Sequence, residues 1–235
     1  MPRDWAENRL DGRKCGVTLG RVNEPVSASD RLKVLTRKPN RAGDRRVLDE
    51  VFDCCRVATV STVIGDEPWV VPILVVRDGD ELLLHGSTGA GALRHVADGA
   101  KIAVSAFLFD GLVVAERAFD HSANYRSAVV RGVCRQVDGD DLTRALDHLT
   151  DALIPGRSTE CPAHTPRELA QTLVLRLPIR PGNWIAKQRS GPPADAALGH
   201  WTGVVPVAQT LGAPVSSSSA PVPESVRRLV STEGM

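Results

Sequence analysis

RVATVSTVIGDEPWVVPILVVRDGDELLLHGST, residues 56 to 88, is the stretch that decides the fold. Its opening, RVATVSTVI (Arg56 to Ile64), is β-branched and alternates in polarity. GDEP (Gly65 to Pro68) is a turn, and WVVPILVVR (Trp69 to Arg77) is a second run of strand formers, so the pattern predicts a hairpin. DGDE (Asp78 to Glu81) turns again into LLLHGS (Leu82 to Ser87), which extends the hairpin to a meander.

Working outward, TGAGALRHVADG reads as a short helix rich in small residues, with Ser87 or Thr88 as its cap. KIAVSAFLF (Lys101 to Phe109), LVVAERAF (Leu112 to Phe119) and SAVVRGVCRQV (Ser127 to Val137) read as three further strands. Short strands at this spacing predict an antiparallel barrel or sandwich. Upstream, Asp44 caps a helix whose Val47, Leu48 and Val51 share one face and which ends near Cys54. Downstream, Asp140 begins a helix with Leu142, Leu146, Leu149 and Leu153 on one stripe, stopped by Pro155. Thr165-Pro166-Arg167-Glu168 is a capping box opening a short helix that feeds the strand Thr172 to Ile179. Three segments result: a polar N-terminal arm (1–43), a barrel domain (44–190) and a Pro/Ser-rich C-terminal arm (191–235) packing on the barrel or on a partner.

The 235 residues are 42% hydrophobic, enough for a sizeable core. Lys plus Arg number 29 against 28 Asp plus Glu, a net charge of +1, so no global field draws the chain to nucleic acid or an anionic membrane. No run approaches the length of a membrane span and the N-terminus has no apolar signal core, which predicts a cytoplasmic protein. The five cysteines show no zinc spacing and are read as reduced core thiols, Cys54 and Cys55 at a helix-to-strand junction.

Three stretches are candidates for chemistry. Pro72 sits mid-strand, where it cannot donate to a ladder and marks an edge or a bulge. In HGSTGAGALRH (His85 to His95), a strand passes through Gly86, Ser87 and Thr88 into a helix and presents N–H groups and hydroxyls to an anion, with Arg94 one turn on. An ordinary capped turn explains the same residues. HSANYRSAVVRG (His121 to Gly132) concentrates donors at Asn124, Tyr125, Arg126 and Ser127, as a polar loop or as groups aimed at a ligand or a second subunit.

Together the residue 58–88 hairpin, HSANYRSAVVRG, LIPGR (Leu153 to Arg157), TPRELAQTLVLRLPI (Thr165 to Ile179) and AKQRSGPP (Ala186 to Pro193) resemble the pyridoxamine 5'-phosphate oxidase-like, FMN-binding split-barrel family. The similarity is to its nitroimidazole-reductase branch. The resemblance implies a six-stranded antiparallel split β-barrel, a homodimer, and FMN at the subunit interface. It implies backbone contacts to the flavin ring from Val71, Pro72 and Ile73, and a ribityl-phosphate side lined by His85, Gly86, Ser87 and Thr88. Asn124, Tyr125, Arg126 and Ser127 would approach cofactor or substrate. Ala90-Gly91 stand where many relatives carry Arg-Lys to clamp the phosphate, so the resemblance leaves that role to Arg94 or to an arginine of the arm.

The function implied is an FMN-dependent oxidoreductase passing electrons from a reduced nicotinamide to a small molecule, with the flavin supplying the redox chemistry. Two alternatives share the fold. One is a haem-binding member with His85, His95 or His121 as ligand; the other is a non-catalytic flavin-binding protein.

Overall fold

The computed structural model describes residues 38–193 and 198–231; Cys15 and most of the expected N-terminal arm lie outside them. The predicted hairpin is β2 (Val57–Ile64) and β3 (Glu67–Asp78), paired antiparallel from Val57↔Leu74 to Ile64↔Glu67. Its turn is Gly65-Asp66, both at positive φ (57° and 66°), the two-residue geometry whose twist matches that of the flanking strands. Alternation sends Ala58, Val60 and Thr62 inward and leaves Val57 and Val63 exposed.

β3 changes neighbour halfway. Glu67 to Leu74 pairs with β2, and Val75 to Asp78 pairs with β4 (Glu81–Ser87). β4 then pairs along its whole length with β8 (Thr172–Pro178). On the other side, β2 pairs with β5 (Lys101–Val114), β5 with β6 (Ser122–Val133), and β6 with β9 (Trp184–Arg189). Immediately after β6, β7 (Arg135–Gln136) pairs with β8. One continuous stretch of chain thus runs from β6, near one end of the path, to β7 at the other, and the sheet curls into a barrel.

Six strands were expected and the sheet has more. The described residues form a path of nine, running β1-β9-β6-β5-β2-β3-β4-β8-β7, with β10 (Gly203–Pro206) paired off it to β5. β1 (Ala42–Gly43) is a two-residue addition on β9. The count also falls in one place: the two strands expected at 101–109 and 112–119 are a single β5, carrying a register shift between Phe109 and Gly111. Asp110-Gly111 is a bulge and not a turn, because a Cβ on Gly111 would lie 2.7 Å from the Val205 carbonyl oxygen of β10.

Helix α1 (Arg45–Cys54) starts where its cap predicts, the Asp44 carboxylate accepting from the Val47 amide. Its Val47, Leu48, Val51 and Phe52 join Val60, Leu84, Val104, Val130 and Leu175 in the main core. A second, smaller core lies on the outside of β3, β4 and β8, where Ala145 and Leu149 of α3 (Asp140–Leu153) cover Val76, Leu83 and Val174. Burying each such side chain contributes roughly 1.5–3 kcal/mol. Helix α2 (Gly91–Ala97) begins at Ala90 without a side-chain cap, so the expected Ser87 or Thr88 cap is not formed. Helix α4 (Pro166–Gln171) has the full predicted capping box.

The C-terminal arm is not purely extended. Besides β10 it ends in α5 (Glu224–Ser231), where the fully buried Ser225 donates its amide and hydroxyl to Glu160. Cysteine placement also differs from expectation. Cys134 is buried, but Cys54 and Cys55 are half-buried and Cys161 is exposed. Among the described residues no helix is long and apolar enough to cross a membrane.

Candidate functional site

Strand alternation separates residues that adjoin in sequence. Pro72 lies opposite Thr59 on the outer face of the barrel and is exposed. Val71 and Ile73 lie opposite the buried Val60 and Ala58, so their side chains face the core and only their backbone can meet a ligand. The β3 segment from 67 to 74 has β2 on one side and no paired strand on the other among the described residues. It is an open edge, with Pro72 in its middle.

The same division runs through the third stretch, now β6. Arg126 faces the side of the sheet that holds Ala128 and Val130, while Tyr125 and Ser127 face the outside with Val129 and Arg131. Arg126 is held by carboxylates. Nε and Nη2 fork onto Asp110 at 3.1 and 2.7 Å, and Nη1 reaches Glu50 at 3.4 Å. The Asp110 hydrogen bonds raise its pKa further, against the effect of burial. Asn124 is buried; its amide donates to the Gly191 carbonyl at 3.1 Å and its oxygen accepts from Arg189.

The strand-to-helix turn divides in a different way. Gly86 points inward, and a Cβ there would sit 2.3 Å from Leu93 Cδ1, so its bareness seats α2 on the barrel. Ser87 accepts from the Gly89 amide at 3.1 Å, and the Thr88 amide donates to the Gln171 carbonyl at 3.0 Å. Ser87, Thr88 and Arg94 are all exposed, hence open to an anion from solvent.

The three histidines differ in which nitrogen is free. His121 Nδ1 accepts the Ala115 amide at 3.1 Å, which leaves the proton on Nε2. His95 Nε2 lies 3.0 Å from the Val63 carbonyl and donates to it. His85 Nδ1 is buried with no hydrogen-bond partner, and burial lowers the pKa of this ring, keeping it neutral. Among the described residues the other buried side-chain nitrogen without a partner is Nη1 of Arg131. The i, i+2 spacing of Tyr125, Ser127, Val129 and Arg131 is the signal that places it on the outer face.

Among the described residues these groups are divided between the two faces of the sheet. A groove in the described residues lies between Arg157 and the arm from Pro214 to Val226, and none of the candidate residues lines it. No cluster of three metal-ligating side chains occurs among the described residues.

Comparison with known proteins adds the following. The family model described as Pyridoxamine 5'-phosphate oxidase matches residues 44–183. A FAD and haem binding protein from Mycobacterium smegmatis is 43% identical, with a TM-score of 0.76 over 79% of this chain and 95% of that chain. A flavocytochrome from Azotobacter vinelandii is 26% identical, with a TM-score of 0.72 over 79% of this chain and 90% of that one. A protein from Bacteroides thetaiotaomicron described as a 5-nitroimidazole antibiotic resistance protein is 16% identical (TM-score 0.53, covering 63% of this chain and 85% of that one), a likeness of fold alone. A search of curated proteins found no match.

Proposed function

The chain belongs to the pyridoxamine 5'-phosphate oxidase family, and we propose that it is a cytoplasmic, homodimeric flavin-binding oxidoreductase that also carries haem. The observation that supports this most strongly is the 43% identity, over 79% of this chain and 95% of the other, to a protein described as binding both FAD and haem. The sequence points to FMN, and the relative described as binding FAD supports a flavin in this chain. Ala90-Gly91 provide no phosphate-clamping cations, so Arg94 is the cation nearest in sequence to that turn.

The two unpartnered buried nitrogens suit these groups. A neutral imidazole with an uncommitted Nδ1, as at His85, has the lone pair an iron ligand needs, whereas His121 has its Nδ1 occupied. The free Nη1 of Arg131 suits an anionic oxygen. The open β3 edge at Val71, Pro72 and Ile73 offers backbone groups to a ring laid along it, and Ser87 and Thr88 offer hydroxyls to its polar tail. When bound, the flavin supplies hydride and electron transfer between a reduced nicotinamide and a small acceptor. The protein's part is to orient the ring against the edge and to exclude water from it. Val57, Val70 and Leu74 are 50%, 60% and 36% exposed on the outer face, and a second copy packed there would bury them and provide that exclusion.

Reconstitution of the purified chain with FAD, FMN and haemin, followed by visible spectra and sedimentation, tests the reading. The expected result is a dimer with both flavin and Soret bands, the latter lost in His85→Ala. A protein that takes up neither group under these conditions overturns it.

A further inference from the structure

From Trp201 to Pro223 the sequence holds no Asp, Glu, Lys or Arg, in a chain that is 24% charged. The first part of this stretch is β10, which pairs with the far end of β5 so that Val205 lies beside Leu112. The rest is an arm tied at both ends. Its Val207 amide donates to the Asp110 carbonyl at 3.1 Å, and α5, which follows it, is latched to Glu160 through Ser225. Every residue from Val205 to Pro221 is exposed, Val215 to 96%. A spacer would also be uncharged, but it does not call for exposed aliphatic side chains at Val207, Leu211 and Val215. Depletion of charge together with exposed apolar groups is the composition of a surface that another surface covers.

The outer face of the sheet beside this arm has the same character. Alternate positions from 57 to 63 on β2, 68 to 74 on β3 and 103 to 109 on β5 point outward, and none of them is charged. Val57, Val63, Val70, Leu74, Phe107 and Phe109 among them are exposed. Face and arm are continuous. The partners of Phe109 and Leu112 on β6 are Tyr125 and Ala123, two residues apart, so the bulge leaves Leu112 on the side of Phe109 and joins it to Val205. The arm nevertheless does not cover the face of its own subunit, where Val57 and Phe107 remain 50% and 67% exposed.

We infer that the arm of residues 207–223 lies on the outer face of a second copy of this chain, each subunit's arm covering β2, β3 and β5 of the other. A two-fold pair satisfies both surfaces at once, because the face of each subunit meets the arm of its partner. Arm and face together supply the roughly 20–30 residues a side of a standard interface. Extended chain spans about 3.3 Å per residue, so the arm is long enough to cross three strands lying roughly 5 Å apart. A membrane surface is a poorer occupant, because neither the arm nor these outward positions offer a cation to an anionic headgroup. The inference rests on the flavoprotein reading in one respect: the partner's arm is the segment that closes the open β3 edge at Val70 and Pro72 and keeps water from a ring laid along it.

The test replaces Val215 of the full chain by a benzophenone amino acid, irradiates the protein, separates the products under denaturing conditions and maps the joined peptides by mass spectrometry. The expected product has twice the 25.2 kDa chain mass and links the arm to residues 56–78 or 101–115. Val215→Asp and Val70→Asp, both at positions exposed in the single chain, are expected to keep the circular dichroism of wild type while raising the dimer dissociation constant about tenfold or more in sedimentation. Cross-links confined to one chain, an arm joined to any other region, or wild-type dimer affinity in either Asp variant overturns the inference. A monomeric wild type overturns it as well, including one that sediments with anionic lipid vesicles. The arm-to-face product in a protein that takes up no flavin would overturn the flavoprotein reading and leave this contact standing.

Discussion

Replacing Gly86 by alanine separates a packing role from a ligand-lining role at one of the residues the family resemblance marks. A Cβ there would lie 2.3 Å from Leu93 Cδ1, about 0.7 Å inside the 3.0 Å that real Cβ contacts respect. Leu93 is 6% exposed and belongs to the main core, so its methyl has little room to retreat. Overpacking of this kind costs about 1–3 kcal/mol, a fall of several degrees in melting temperature for a chain of this size. Leu93→Ala alone leaves a cavity and costs about 2–5 kcal/mol. The double variant lets the new methyl enter that cavity, so its loss should fall short of the sum by more than about 1 kcal/mol. Urea denaturation of the four proteins measures the cycle. Additive losses, or a fully stable Gly86→Ala that binds flavin weakly, would refute the reasoning and return Gly86 to the ligand.

Arg126→Lys removes the fork onto Asp110 and should cost about 1 kcal/mol, with Arg126→Ala costing about 2; unchanged denaturation midpoints would mean the Asp110–Arg126–Glu50 cluster contributes nothing. Glu160 is held below its ordinary value of 4.5 by the Ser225 hydrogen bonds. Its grip on α5 is therefore complete above that value and is lost as pH falls through the depressed one. Hydrogen exchange at residues 224–231 should show protection lost in acid, and lost at neutral pH in Glu160→Gln; equal protection in that variant contradicts the contact. Burial pushes the Cys134 thiol up to about 12, so at mildly alkaline pH an alkylating reagent should label the exposed Cys161 and spare Cys134 until the chain unfolds. Equal labelling rates for the two would contradict that placement.

The local parts of the fold were legible because their causes are local. Asp44 capping α1, the Thr165–Glu168 box opening α4, and the strands on either side of Gly65-Asp66 depend on neighbours within a few residues. The break expected between residues 109 and 112 is instead a bulge inside β5, and the bare Gly111 there admits β10, a partner far along the chain. β1, β7 and β10 add to the expected count because strands of two to four residues carry little pattern of their own, and β9 adds to it as a strand whose pairing with β6 is set far along the chain.

At the candidate site the residue types were visible and their directions were not. Tyr125 and Arg126 are one polar pair in sequence, yet the pleat sends them to opposite faces, and Glu50, which engages Arg126, comes from α1. The uncharged outer face of β2, β3 and β5 is likewise invisible until register aligns three segments. His85 stands out only once burial shows that its Nδ1 is enclosed without a hydrogen-bond partner.

The account stands most directly on what the chain holds when purified. Mass spectrometry of the small molecules released from the untagged protein, run beside its visible spectrum, reads that without any assumption about substrate. The prediction is a flavin, FMN or FAD, together with haem, in amounts that follow the protein through gel filtration as a dimer. A protein that remains colourless after incubation with both groups, and releases neither, would contradict the account.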